Sequence, residues 1–117
     1  MRFTLTTLIV KDLDRSLAFY RDVLGMPLIT RFATGAGEIA MLGEQEHAHL
    51  ELVASGQPVP ENPGQGISVG FYVDDAQELI RKIGAPAQGP ITPNPHLRFF
   101  FIQDPDGYRV QLLEKTA

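Results

Sequence analysis

Three ionisable side chains alternate along one short segment of the chain, at His47, His49 and Glu51. Every second residue of a β-strand lies on the same face, so these metal-binding or proton-transferring groups would point the same way. Side chains at such positions stand roughly 7 Å apart, however, which is too far to share one metal ion without adjustment. We therefore expect Glu51 to point into a pocket, His49 to line its mouth and His47 to be exposed.

An internal repeat assigns Glu51 three equivalents elsewhere in the chain. The segments LTTLIVKDLDRSLAFYRDVLG (5–25) and SVGFYVDDAQELIRKIG (68–84) share one pattern of strand, acidic helix cap, amphipathic helix and terminal glycine. Each half also ends on a related strand, HLEL (49–52) or RVQL (109–112). The repeat therefore makes four positions equivalent in two copies of one module: Leu5, Glu51, Ser68 and Gln111.

Glu51 is the one ionisable residue among these four positions. A carboxylate buried without a metal or a cationic partner is a candidate general acid or base, so Glu51 is the only candidate catalytic residue. It could instead contact a ligand, or remain inert through a hydrogen bond to Gln111 or Ser68. Because its charge would be the only full charge in the pocket, we expect cationic or hydrogen-bond-donating ligands to be preferred over anions.

Aromatic side chains provide a second candidate surface. Phe99, Phe100 and Phe101 are consecutive, so a strand places Phe99 and Phe101 on one face and Phe100 on the other. Such residues usually belong to the core, but an apolar pocket floor for a flat or hydrophobic ligand is the alternative. His96 and Arg98 could close over such a ligand or simply be solvated.

Composition excludes several classes of function. The 117 residues suffice for one domain with a core, and no apolar stretch is long enough for a membrane span or signal peptide. The chain has no Cys, which excludes thiolate chemistry and agrees with a cytoplasmic location. A net charge of −4 without a basic face argues against nucleic-acid binding.

The pattern of secondary structure predicts an α+β fold made of two βαβββ modules. Module one spans 1–55, a Pro- and Gly-rich connector spans 56–66, and module two spans 67–117. Asp12 or Asp14 is expected to cap the first helix, and the Asp75–Glu78 spacing to form a capping box on the second. In module one the predicted strands are 3–10, 26–32, 38–42 and 47–53, and we expect the first of them to be buried on both faces. In module two they are 67–73, an edge strand within 87–95, and a hairpin of 98–103 and 108–114.

The repeated module, with DLDRSLAFYRDVLG near its start and DPDGYRVQLLE near its end, resembles the vicinal oxygen chelate superfamily of glyoxalases, bleomycin-resistance proteins and dioxygenases. The resemblance covers nearly the whole chain. It implies half-cup sheets, and homodimers whose pockets bind small molecules. In the metal-dependent members, the positions matching Leu5, Glu51, Ser68 and Gln111 hold the metal. Only Glu51 and Gln111 could do so here, whereas a stable site needs about three good ligands, so we expect no metal and no other cofactor.

Two hypotheses about function follow. The first is a metal-free protein of the bleomycin-resistance type that binds or sequesters a compact aromatic or cationic ligand, without membrane or nucleic-acid partners. The second is a glyoxalase-like lyase or dioxygenase-type enzyme that uses Glu51 as a base or an atypical metal site such as His49, Glu51 and Gln111. The residues expected to contact the ligand are Thr7, His49, Glu51, Ser68, Phe99, Phe101 and Gln111.

Overall fold

The chain folds into two compact units, residues 1–60 and a second unit that begins at Glu61. The computed structural model describes residues 1–115, so the expected end of module two at residue 117 lies outside the described residues. Within those residues, no helix has the length and hydropathy needed to span a membrane. Each unit contains one mixed sheet of four strands.

The first unit contains β1 (Leu5–Ile9), α1 (Leu13–Leu17), β2 (Leu28–Ala33), β3 (Glu38–Leu42) and β4 (His49–Ala54). Its sheet has the strand order β1-β4-β3-β2, in which β1 and β4 are parallel and the other neighbours antiparallel. Helix α1 continues directly as a π-helix, Ala18–Val23.

The helical segment covers one face of the first sheet. Asp12 caps α1, because its Oδ1 accepts a hydrogen bond from the Arg15 amide at 3.2 Å. Tyr20, Leu17 and Leu52 are fully buried, so the core lies between the helix and this face. The side chains that form it are Leu8, Val10, Leu13, Leu17, Phe19, Tyr20, Ala40, Leu42, Leu50 and Leu52.

The first strand differs from the sequence expectation. It is shorter than 3–10 and lies at the edge of the sheet, and burial on both faces is wrong. Leu8 is buried, whereas Leu5 on the opposite face is 40% exposed. The β-branched and apolar residues of this segment resemble a central strand, but only alternate side chains reach the core.

An ion-pair cluster connects the first β-hairpin to α1. The Arg31 guanidinium donates to Glu38 across the β2–β3 pair and to Asp14 on the helix. The hydrogen bond to Glu38 and then that to Asp14 raise the pKa of Arg31 above its ordinary value. All three side chains are at least partly exposed, so we ascribe orientation rather than large stabilisation to the cluster.

The second unit contains β5 (Val69–Tyr72), α2 (Ala76–Ile83), β6 (Gln88–Asn94), β7 (Leu97–Gln103) and β8 (Arg109–Lys115). Its sheet repeats the arrangement of the first, with strand order β5-β8-β7-β6 and a parallel β5–β8 pair. The Pro-containing strand β6 lies at the edge, as expected because proline has no amide N–H to donate. The structure therefore confirms the α+β class and the duplicated βαβββ order.

Local signals of the sequence account for the ends of α2 and for the last hairpin. Asp75 Oδ1 accepts from the Glu78 amide at 3.1 Å, and Gly84 ends the helix at a φ of 71°. The Glu78 carboxylate binds Arg81 rather than completing a capping box. In the β7–β8 turn, the Asp104 amide donates to the Tyr108 carbonyl at 2.9 Å.

Candidate functional site

Each sheet has a second face that its own helix does not cover, and alternation along the strands places the predicted ligand-contacting residues on these open faces. In the first sheet, Thr7 pairs with Glu51, and Leu5 pairs with His49. Leu8 on β1 has the opposite parity and is buried in the core. The strand pairing therefore brings Thr7, His49 and Glu51 onto one face.

Glu51 is held by a neighbour on the adjacent strand. The Thr7 hydroxyl donates a hydrogen bond to Glu51 Oε1 at 2.8 Å. Glu51 is half-buried rather than buried, so the condition under which it would be a strong candidate base is met only in part. The hydrogen bond orients the carboxylate and leaves its second oxygen available as an acceptor for a ligand.

The two histidines occupy different environments. His49 is half-buried on the same face as Glu51, and its Nε2–H donates to the Glu44 carbonyl at 3.0 Å. This bond occupies one of the two ring nitrogens that could bind a metal. His47 is exposed and precedes β4, as expected.

The open face of the second sheet is aromatic and polar. Phe101 pairs with Gln111, and the rings of Phe99 and Phe101 meet edge to face with centroids 5.5 Å apart. Gly70 pairs with Gln111 from the other side, and a Cβ at Gly70 would lie 3.6 Å from Gln111 Oε1. The tighter contact of such a Cβ would be with Leu113 Cδ1, at 3.1 Å, so the missing side chain at Gly70 leaves room for Leu113. Ser68 is exposed just before β5.

Arg109 lies beside Phe101, and the sequence analysis did not select it. Its guanidinium carbon lies 3.7 Å from the centroid of the Phe101 ring, a short cation–π contact. The signal was present in RVQL, because alternation places Arg109 on the same face as Gln111. The open face of the second sheet therefore carries a full positive charge beside Phe101, in addition to the negative charge of Glu51 on the first sheet.

Arg98 corrects a second expectation. It lies on the opposite face of β7 from Phe99, and its guanidinium binds Glu114, with Nη2 2.6 Å from Oε1. Arg98 is thus committed to the helix-covered side of the sheet rather than to a ligand. His96 is exposed, and its backbone amide donates to Asn94 Oδ1 at 2.8 Å.

Ser55 is a further residue that the sequence gave no reason to select. It follows β4 directly, and its Oγ is buried without a hydrogen-bond partner among the residues that the structure describes. A buried hydroxyl without a partner is unfavourable for stability.

The donor set does not fit the metal centre that the resemblance implies. In the first unit, Leu5 has no donor atom, so Glu51 is the only ligand that this unit offers at these positions. In the second unit, Ser68 and Gln111 are neutral and weak donors. Across residues 1–115, no group of three His, Asp or Glu side chains is arranged to hold a metal ion.

Comparison with known proteins places these observations in a family. The model of the Glyoxalase/Bleomycin resistance protein/Dioxygenase superfamily matches residues 2–112. A probable lactoylglutathione lyase from Synechocystis is 32% identical, over 98% of this chain and 97% of its own.

Solved structures share the fold. A glyoxalase family protein from Bacillus cereus superposes with a TM-score of 0.82 at 22% identity, covering all of this chain and 95% of its own. An antibiotic binding protein from Streptomyces sp. CB03234 superposes with a TM-score of 0.77 at 20% identity, covering 99% and 97%. These matches confirm the glyoxalase-like α+β fold.

Proposed function

This chain belongs to the Glyoxalase/Bleomycin resistance protein/Dioxygenase superfamily, and we propose that it binds a compact, partly aromatic organic molecule without a metal ion at the family's four-residue site. One observation carries the proposal. Of the four positions, only Glu51 offers a strong metal ligand, since Leu5 has no donor atom and Ser68 and Gln111 are neutral.

The open faces supply the chemistry of a small-molecule site. Such sites combine a mostly apolar lining with a few polar groups that fix orientation. In the first unit, Met41 pairs with Glu51, so an apolar side chain flanks the carboxylate. In the second unit, Phe101 pairs with Gln111, and the Phe99 ring contacts the Phe101 ring on the same face. The ligand-contacting set that we propose is Thr7, His49, Glu51, Ser68, Phe99, Phe101 and Gln111, with Arg109 added.

The second candidate function is that of a lyase. It is favoured by the 32% identity to a probable lactoylglutathione lyase over nearly the full length of both chains. Such an enzyme would rely on Glu51, either as a base or within an atypical metal site with His49 and Gln111. His49 could supply Nδ1, because its Nε2–H donates to the Glu44 carbonyl, and metal-bound histidines commonly make such a bond with their second ring nitrogen.

Metal content and activity separate the two candidates. Untagged protein, purified without chelator, is analysed for Ni, Zn and Fe by mass spectrometry, and is assayed for lactoylglutathione lyase activity with and without each metal. We expect substoichiometric metal and no metal-dependent activity. Stoichiometric metal together with activity that Glu51→Gln abolishes would refute the binding function and support the lyase.

We also propose that the protein is a homodimer. Leu5 and Phe32 in the first unit, and Tyr72 in the second, are large apolar or aromatic side chains with at least 40% of their surface exposed. Exposed apolar surface on a sheet favours association, and the edges of both sheets would also gain protection. Light scattering at micromolar concentration should give twice the monomer mass, and a purely monomeric sample would contradict the proposal.

A further inference from the structure

A groove of about 1010 Å³ lies within the second unit, and it extends beyond the residues selected from the sequence. One wall is the segment Glu61–Gln65, and another is the segment 85–88 after α2. The floor includes Phe101 and Arg109 from the central strands. All the lining residues belong to this unit, so the groove can be described without reference to the first unit.

The Arg109 guanidinium is fixed in this groove by its contact with the Phe101 ring. Gly64 holds the outer wall against Arg109, because a Cβ at Gly64 would lie 2.8 Å from the Arg109 amide nitrogen. Among the residues that the structure describes, Arg109 forms no ion pair with a carboxylate. A half-buried cation is thus held in place without a counter-ion from this part of the chain.

Two carboxylates also line the groove, and their positions limit the charge of a suitable ligand. Asp104 Oδ1 accepts hydrogen bonds from the amides of Asp106 and Tyr108, each at 2.9 Å, so this group serves the turn. Glu61 is exposed on the outer wall. These negative charges would oppose a doubly charged anion such as phosphate more strongly than a singly charged one.

We infer that this groove binds a planar organic acid, one carboxylate carried on a flat ring, with Arg109 as the recognition residue. A guanidinium stacked on an aromatic ring keeps its N–H edge free, and that edge matches a carboxylate through two parallel hydrogen bonds. The adjacent Phe101 ring provides apolar contact for the ligand's ring. The inference rests on the proposed small-molecule function and specifies the ligand class.

Calorimetry with a matched pair of probes tests the inference. The probes are 2-naphthoate and its neutral amide, 2-naphthamide, which have the same shape, with inorganic phosphate as a third ligand. We expect wild type to bind the acid roughly tenfold or more tightly than the amide, as a charge-assisted hydrogen bond allows. Phosphate should bind more weakly than the acid.

Variants assign the effect to Arg109. Arg109→Gln should remove the preference for the acid, and Arg109→Lys should retain only part of it, because lysine lacks the planar fork. The control is Arg81→Gln, which makes the same change of charge on α2, where the side chain is 75% exposed and paired with Glu78. It should bind both probes as wild type does.

The outcomes separate this inference from the proposed function. If acid and amide bind wild type equally, or if Arg109→Gln and Arg81→Gln weaken the acid to the same extent, Arg109 recognition is refuted and small-molecule binding stands. If phosphate binds as tightly as the acid, the planar-acid class is refuted. If neither the aromatic acid nor its neutral amide binds wild type, both proposals fail. Should Arg109→Gln not fold, Arg109→Lys and the NMR shift of the wild-type Arg109 Nε–H on adding the acid decide the same question.

Discussion

Replacement of Glu114 by Gln tests how the second unit is held together. Glu114 lies on β8 and is only 6% exposed. Its Oε2 accepts from the Ala76 amide, the first residue of α2, at 2.8 Å. Its Oε1 accepts from Arg98 Nε at 2.8 Å. One buried carboxylate therefore joins the start of the helix to two strands of the sheet.

The expected cost follows from counting acceptors. Glutamine has a single oxygen, so in either orientation its amide group faces one of the two donors, Ala76 N–H or the Arg98 guanidinium. A lost hydrogen bond to a charged group costs about 1.5–3 kcal/mol, and breaking a buried ion pair costs about 3–5 kcal/mol. Because Arg98 is 37% exposed and can be hydrated, we expect a loss of about 3 kcal/mol.

Urea denaturation followed by circular dichroism measures this loss. Thermal unfolding gives a second measure of the same loss. With an entropy of unfolding of about 2.1 cal/mol/K per residue for a cooperative chain of 117 residues, a loss of about 3 kcal/mol corresponds to a fall in Tm of about 12 °C. The control is Glu78→Gln, which removes a partly exposed carboxylate that binds Arg81, and it should cost less than about 1 kcal/mol. Equal losses for the two variants would refute the structural role of Glu114.

Three further variants give definite expectations. Asp75→Ala removes the side-chain cap of α2 and should lower the free energy of unfolding by about 1 kcal/mol in the same assay. Gly37→Ala would place a Cβ 2.0 Å from the Ala54 carbonyl oxygen, so it should displace the β2–β3 turn and destabilise the fold by more than the cap variant; wild-type stability would contradict this contact. The double substitution Leu5→His, Ser68→His should raise the affinity for Ni or Zn in a calorimetric titration, and unchanged affinity would show that the repeat assigns these positions wrongly.

The sequence predicted those parts of the fold that depend on local chemistry. The cap of α2 at Asp75 and the terminal glycine at Gly84 were identifiable, and the cap of α1 was narrowed to Asp12 or Asp14, because each acts within a few residues of its own position. The first strand was mispredicted, since its place at the sheet edge depends on pairing with β4, which is distant in sequence. The π-helical turn at 18–23 likewise has no distinct periodicity in so short a segment.

For the candidate site, the alternation of side chains along a strand could be predicted from the sequence, whereas the hydrogen-bonding partner of each side chain could not. It placed Phe99 and Phe101 together, and the ring contact agrees with that placement. The same rule, applied to β8, would have selected Arg109. The sequence could not show that Arg98 is bound by Glu114 or that Glu51 is bound by Thr7, because these partners are far apart in the chain.

Under the proposed metal-free function, the location of the four positions explains how the family's fold can be kept while the metal ligands are replaced. The cores are built from the helix-covered faces, by residues such as Leu52 and Leu112, both fully buried. Leu5 and Ser68 alternate with the core residues, on the side of the open faces, and are exposed. Their replacement therefore changes few core contacts. The fold therefore depends on the helix-covered faces more than on the open faces, whose chemistry can change. For this reason, we base the proposed ligand class on the guanidinium of Arg109 and the carboxylate of Glu51 rather than on membership of the family.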